Sequence, residues 1–198
     1  GNAAVNFNDC IFDYKTIASS KAITLFNADP SSDGSKLSIA VNVNGGEVLV
    51  NDLSKVSFGM AGRNSALVYG KGNDGKYFTL ILPDNSVKPT ANHAFVTDEG
   101  TMTLAKTGYA DGAVSYTLGA AVKTEYGDIP AVYGDADEYP FAVFMDGKLI
   151  GAYSKWSDTG NNAVDAVKGT ENSDKTVNIL LRRDYINTKD TFWTLTQA

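Results

Sequence analysis

The sequence predicts a mainly β protein in two parts: a short solenoid-like part over residues 1–132 and a small β-β-α-β unit over 133–198. A β-sandwich is the alternative architecture. Three observations lead there. Short runs of β-branched and aromatic residues follow one another closely, with 19 Gly and frequent Asn and Asp between them. The stretch VNFNDCIFDY at 5–14 alternates at Val5 and Phe7, breaks phase at Asn8-Asp9, and resumes at Cys10 and Phe12. Beyond 126–138, a stretch rich in Gly, Asp, Ala and Tyr, the pattern changes and a helical stripe enters.

The first part reads as strands over 5–7, 10–12, 22–26, 37–43, 47–50, 55–58, 66–69 and 77–82. The phase break at Asn8-Asp9 calls for a corner with one residue in the left-handed region, and Asn is the non-glycine residue that tolerates it best. Two very short strands joined by such a corner suit a parallel solenoid. Asn51-Asp52, between Val50 and Leu53, is a second expected corner. The competing reading is a β-bulge in an antiparallel sandwich. No clean coil period emerges, which speaks against a long regular solenoid. Asn44-Gly45-Gly46 and Asn73-Asp74-Gly75 supply the positive φ that tight turns need.

A loop is expected over 83–92, then strands over 94–96, 101–104 and 114–118, turning at Asp98-Glu99-Gly100 and Asp111-Gly112. In the second part, 141–145 and 148–153 around Asp146-Gly147 predict a hairpin. Ser157-Asp158 is the expected cap of a helix carrying Ala163, Val164, Ala166 and Val167, stopped by Gly169. Strands over 176–181, with Val177, Ile179 and Leu181 on one face, and over 192–196 complete the reading.

Composition bounds the partners. With 43% hydrophobic and 20% charged residues the chain is expected to fold. The net charge is −6, and Lys and Arg are scattered, so nucleic acid is not an expected partner. No apolar run approaches the roughly 20 residues of a membrane-spanning helix. The start GNAAVNF has neither the basic end nor the apolar segment of a signal peptide. A chain that begins inside a strand pattern reads as part of a longer polypeptide, so that absence says little of where the parent resides.

The chemistry is sparse. The single histidine, His93, lies in PTANHAFVT without a nucleophile motif, so a hydrogen-bonded structural role is expected. The single cysteine, Cys10, cannot form an internal disulfide and is expected to pack as a small hydrophobe. Zinc is not expected with one His and one Cys. Calcium is the candidate ion: Asp29-Pro-Ser31-Ser-Asp33-Gly34 has the oxygen spacing of a calcium loop's first half, although Ala40 stands where the closing acid belongs. Asp135 and Asp137, with Glu138, form a second acidic group. Solvated turns are the alternative for both. Tyr133, Tyr139, Tyr153 and Trp156 are the candidate glycan platform, against a packing role. Arg182-Arg183 are expected to point apart if they lie in a strand.

The run FAVFMDGKLIGAYSKWSDTGNNAVDAVKG, followed by KTVNILLRRDY, resembles a segment of large bacterial surface proteins. There a strand pair leads into a helix of the type A-I-D-A-A and a strand of the type T-V-T-L-L-x-D, beginning a right-handed parallel β-helix. The matching residues are Ala163-Val164-Asp165-Ala166-Val167, Thr176-Val177-Asn178-Ile179-Leu180-Leu181 and Asp184. VNFNDCIF at 5–12 and the stretch 22–82 resemble coils of the same proteins. The resemblance implies a right-handed β-helix, an extracellular or cell-surface parent, and a non-enzymatic structural or adhesive role with contacts to glycans or a host surface protein. A helix bearing Ala163, Val164 and Val167 would then cover a solenoid end. Two alternatives stay open: a β-helix polysaccharide lyase or hydrolase, and a β-sandwich carbohydrate-binding module.

Overall fold

The computed structural model describes residues 2–16, 23–27, 38–61, 65–168 and 174–186. The chain is mainly β and divides into two compact units, Gly1–Ala120 and Ala121–Ala198. The sequence reading placed the division at 132/133.

In the first unit, β1 (Asn2–Asn8), β4 (Ser38–Asn44) and β7 (Ser65–Gly70) pair in parallel. So do β2 (Ile11–Asp13), β5 (Glu47–Leu49) and β8 (Thr79–Pro83). β3 (Ile23–Asn27) pairs in parallel with β6 (Val56–Ala61) in a separate sheet. An antiparallel ribbon of β9 (Ala94–Thr97), β10 (Gly100–Ala110) and β11 (Ala113–Gly119) joins the first two ladders. One sheet therefore runs β1-β4-β7-β9-β10-β11-β8-β5-β2. The strands of a simple antiparallel sandwich would not pair this way, because the ladders β1-β4-β7, β2-β5-β8 and β3-β6 are parallel, while β8 meets β11 antiparallel.

Alternation fills the interior. Val41 and Val43 of β4, Val48 of β5, and Leu80 and Leu82 of β8 are buried. Phe58, Tyr69, Phe78 and Phe95 meet at the centre, with centroids of 5.0 Å for Tyr69–Phe95 and 5.1 Å for Phe58–Phe95. Such contacts add to the burial of large rings, by about 0.5–1.5 kcal/mol a pair. The Tyr69 hydroxyl donates to the Phe58 carbonyl at 2.8 Å, so the polar end of the ring is satisfied inside the core.

The phase break at 8–9 is a corner, but its left-handed residue is Asp9 (φ 51), not Asn8. Asn8 stays in β1, where its side chain is used elsewhere. Cys10 lies opposite Gly46 at the corner, before β2 begins, since Glu47 N–H donates to the Cys10 carbonyl at 2.9 Å. It is half-buried, with its thiol 3.5 Å from the Asn8 carbonyl, and not on the inward phase of a strand. At Asn51-Asp52 the chain bends out of the β5 ladder toward β6 in another sheet, but neither residue is left-handed. Asp52 is extended (φ −146) and caps a 3-10 turn over Leu53–Lys55 by accepting the Ser54 amide. Gly45 (φ 65) and Gly46 (φ 84) supply the expected positive φ, and the turn they make is a corner between ladders: β4 and β5 are consecutive in sequence and separate in the sheet.

The hairpins are where expected. Thr97 faces Gly100, and Asp111-Gly112 and Asp146-Gly147 both carry positive φ at each residue, as two-residue turns matching strand twist require.

The second unit contains β12 (Val122–Thr124) with β13 (Gly127–Ile129), a short pair the sequence reading missed. Then follow β14 (Phe141–Met145), β15 (Lys148–Tyr153), α1 (Trp156–Ala166) and β16 (Val177–Leu181). The sheet order is β15-β14-β16, all antiparallel. Phe141, Ala142, Val143 and Phe144 are all buried, because β14 is central and covered on both faces. α1 packs against these three strands. Its cap is not Ser157-Asp158: Lys155 occupies that position without a side-chain bond, and Thr159 donates its hydroxyl to the Lys155 carbonyl at 2.8 Å. Ile179 and Leu181 share a face but are exposed, whereas Leu180 packs against Ile129, Ala142 and Phe144. The expected helix stop at Gly169 and strand at 192–196 lie outside the described residues.

Candidate functional site

The predicted aromatics converge within the second unit. Tyr133 closes a 3-10 turn over Ala131–Tyr133, and Tyr139 follows on the same loop; their rings meet edge to face at 5.3 Å. Trp156 opens α1 and stands 5.5 Å from Phe141, which also touches Tyr185 at 4.7 Å. Tyr153 ends β15 opposite Phe141. Its hydroxyl lies over Gly151, where an added Cβ would come within 2.2 Å. All four candidate rings are half-buried. Burial raises the Tyr153 pKa, and the neighbouring Tyr133 and Asp158 add to the rise, so this ring stays neutral at physiological pH.

Arg182 organises the loop beneath these rings. Its guanidinium donates to the carbonyls of Tyr133 (2.6 Å), Gly134 (2.5 Å) and Tyr139 (3.0 Å). A rigid planar fork suits three converging acceptors as an ammonium does not. Burial pulls the Arg182 pKa down, against the charge of Asp135. Arg183 pairs with the Asp137 carboxylate at 3.4 Å and donates to the Asp137 carbonyl at 3.2 Å. The two arginines therefore serve one loop and do not diverge as expected. The physical reason is that β16 stops at Leu181, so strand alternation no longer applies to them.

Asp135 accepts the Asp137 amide at 2.8 Å, and both residues are exposed. Among the described residues no group of three or more His, Cys, Asp or Glu side chains gathers as a metal would require. Asp29 and Asp33 lie outside the described residues. His93 is half-buried, and its Nδ1 accepts the Thr90 amide at 3.0 Å. That bond commits one ring nitrogen to local structure.

In the first unit a charged group forms around Tyr77, whose side chain is buried. Lys71 pairs with Glu99 and sits 5.4 Å over the Tyr77 ring, whose hydroxyl is 3.4 Å from Asp98. The mutual hydrogen bond raises the Lys71 pKa and lowers that of Glu99, so both stay charged and paired. Neither has the neutral form that proton transfer at neutral pH requires.

No protein-family model, no curated protein and no solved structure matches the chain. No helix among the described residues is long and apolar enough to cross a membrane.

The arrangement in the second unit offers half-buried rings, two of them on the loop that carries the exposed Asp135 and Asp137. Sugars present the matching chemistry, apolar C–H faces edged by hydroxyls. Sequence reasoning named the rings and the Arg182-Arg183 pair but not the loop that Arg182 holds. The available signal was Leu180-Leu181 giving way to two consecutive arginines, which marks a strand end.

Proposed function

We propose that this protein is a non-enzymatic structural and adhesive module of a secreted or cell-surface bacterial protein. Its first unit acts as a short β-solenoid spacer, and its second unit makes contact with glycans through Tyr133, Tyr139, Tyr153 and Trp156. The observation that carries the spacer reading is the parallel registration of successive passages of chain. Ala3 aligns with Ile39 and Ile39 with Ser65, while Ile11 aligns with Glu47 and Glu47 with Thr79. Each passage thus gives one strand to each of two ladders, as a solenoid coil does. The bacterial surface setting follows from the resemblance of residues 141–184 and 5–12. The glycan reading is supported by the half-buried rings and by the exposed Asp135 and Asp137 on the loop that carries two of them.

The test is a binding screen of the purified chain on a glycan and mucin array, with calcium and with chelator. Saturable binding to one glycan class, lost in Trp156→Ala and in Tyr139→Ala with the circular-dichroism spectrum unchanged, is the expected result. Loss in chelator would assign Asp135 and Asp137 a calcium-dependent part. A blank array from folded protein would overturn glycan contact, and release of reducing or unsaturated sugar ends would overturn the non-enzymatic reading.

A further inference from the structure

β1 and β2 are the two outermost strands of the large sheet, and they come from one passage of chain. Among the described residues each is paired on one side only. Next to them lies a repeat: Ala4-Val5-Asn6-Phe7-Asn8 in β1 and Ala40-Val41-Asn42-Val43-Asn44 in β4, aligned residue for residue. The asparagines form two rungs of a side-chain ladder. Asn42 Nδ2 donates to Asn6 Oδ1 at 2.7 Å, and Asn44 Nδ2 donates to Asn8 Oδ1 at 2.8 Å. The ladder has a direction. At β7 the aligned residues are Val68 and Gly70, so it does not continue inward. At β1 the amide nitrogens of Asn6 and Asn8, both exposed, are turned to the outer side with no protein partner among the described residues. The apolar end is open as well: Val5, aligned with the buried Val41, is 42% exposed.

We infer that this edge is a docking surface for one further strand–corner–strand passage, adding in parallel to β1 and β2 together and carrying Asn opposite Asn6 and Asn8. Parallel backbone bonds supply the attachment, and the asparagine rungs set the register, because a slip by one residue would place apolar side chains on the amides. A second copy of this chain does not meet the requirement. A two-fold contact would lay β1 antiparallel on β1 and misalign the rungs. The inference rests on the spacer reading of the first unit and is independent of the glycan reading of the second.

The experiment uses a peptide of residues 38–49, SIAVNVNGGEVL, titrated into the isotope-labelled chain and followed by NMR. Saturable shifts at residues 2–8 and 11–13 are expected. A nitroxide on the peptide's N-terminus should broaden Ala3 and Ala4 more than Asn8, as parallel addition demands. Asn42→Ala with Asn44→Ala in the peptide should weaken binding about tenfold, since two net hydrogen bonds are lost. Asn6→Ala with Asn8→Ala in the protein should do the same, with the core resonances unmoved. Absence of shifts at these strands in folded protein, broadening at Asn8, or equal binding by the Asn-free peptide would overturn the inference. So would self-association through β1, detected by sedimentation. The glycan array reads none of these quantities, so the two ideas fail separately.

Discussion

Arg182 donates a hydrogen bond to the carbonyl of Tyr133 at 2.6 Å and also holds the Gly134 and Tyr139 carbonyls of the same loop. The bond ties the residue just after β16 to the turn that carries half of the aromatic cluster. Removing the guanidinium would leave three carbonyls to find water in a partly buried place. Arg182→Ala should cost about 1–3 kcal/mol in chemical denaturation. Arg182→Lys should recover only part, because one ammonium cannot meet three acceptors in a plane. Hydrogen exchange at residues 133–139 should speed up in both. Unchanged exchange would mean that the loop is held by other contacts.

The corner at 45–46 is a place where backbone must approach backbone. Gly46 has φ +84, and a Cβ there would sit 2.1 Å from the Cys10 carbonyl oxygen. Gly75 has φ +75 with nothing nearby. Gly75→Ala should therefore cost about 1 kcal/mol, the conformational term alone. Gly46→Ala should cost more than about 3 kcal/mol, since the stacked passages must part. Equal costs in urea unfolding would contradict the corner stacking.

Tyr69 couples the core to pH. Its pKa is raised well above the ordinary 10.0 by burial. The unfolded chain releases this proton near the ordinary value while the folded chain retains it. The contribution is fully present below pH 10 and is lost as pH rises from there. Urea midpoints measured across that range should fall, and the fall should be smaller in Tyr69→Phe. At neutral pH the same variant should be less stable by about 1–2 kcal/mol, because the Phe58 carbonyl loses its buried donor.

Asp111 and Gly112 turn β10 into β11 with φ 52 and φ 77. Asn is at least as well suited as Asp to the first position of such a turn. Asp111→Asn should leave stability unchanged or raise it by up to about 0.5 kcal/mol. Asp111→Val should lower it by about 1–2 kcal/mol, since a β-branched residue resists positive φ. A neutral Asp111→Val in thermal unfolding would mean that the hairpin takes another turn.

Local chemistry was readable wherever a few adjacent residues decide the outcome. Asp111-Gly112 and Asp146-Gly147 announced their hairpins because positive φ at two successive positions selects those residues. The phase break at Asn8-Asp9 announced a corner for a related reason, and only the left-handed residue was misassigned. Asn8 was unavailable for that task because its side chain accepts from Asn44, a partner 36 residues away. The aromatic cluster was half legible: the rings could be named, but nothing local to Arg182 indicates that its acceptors lie on residues 133–139. Val177, Ile179 and Leu181 showed correct strand alternation, yet which face met the core depended on Ile129, Ala142 and Phe144.

The strand-rich composition, the tight turns and the change in pattern between the two parts were legible in the residues alone. Those depend on backbone preferences and on side-chain alternation over a few residues. It took the tertiary fold to make the ladders β1-β4-β7 and β2-β5-β8 parallel, to stack Ala4–Asn8 on Ala40–Asn44, and to gather three carbonyls on one arginine. Pairing partners far apart in the chain are chosen by the joint burial of side chains from every passage. No single stretch of sequence contains that sum.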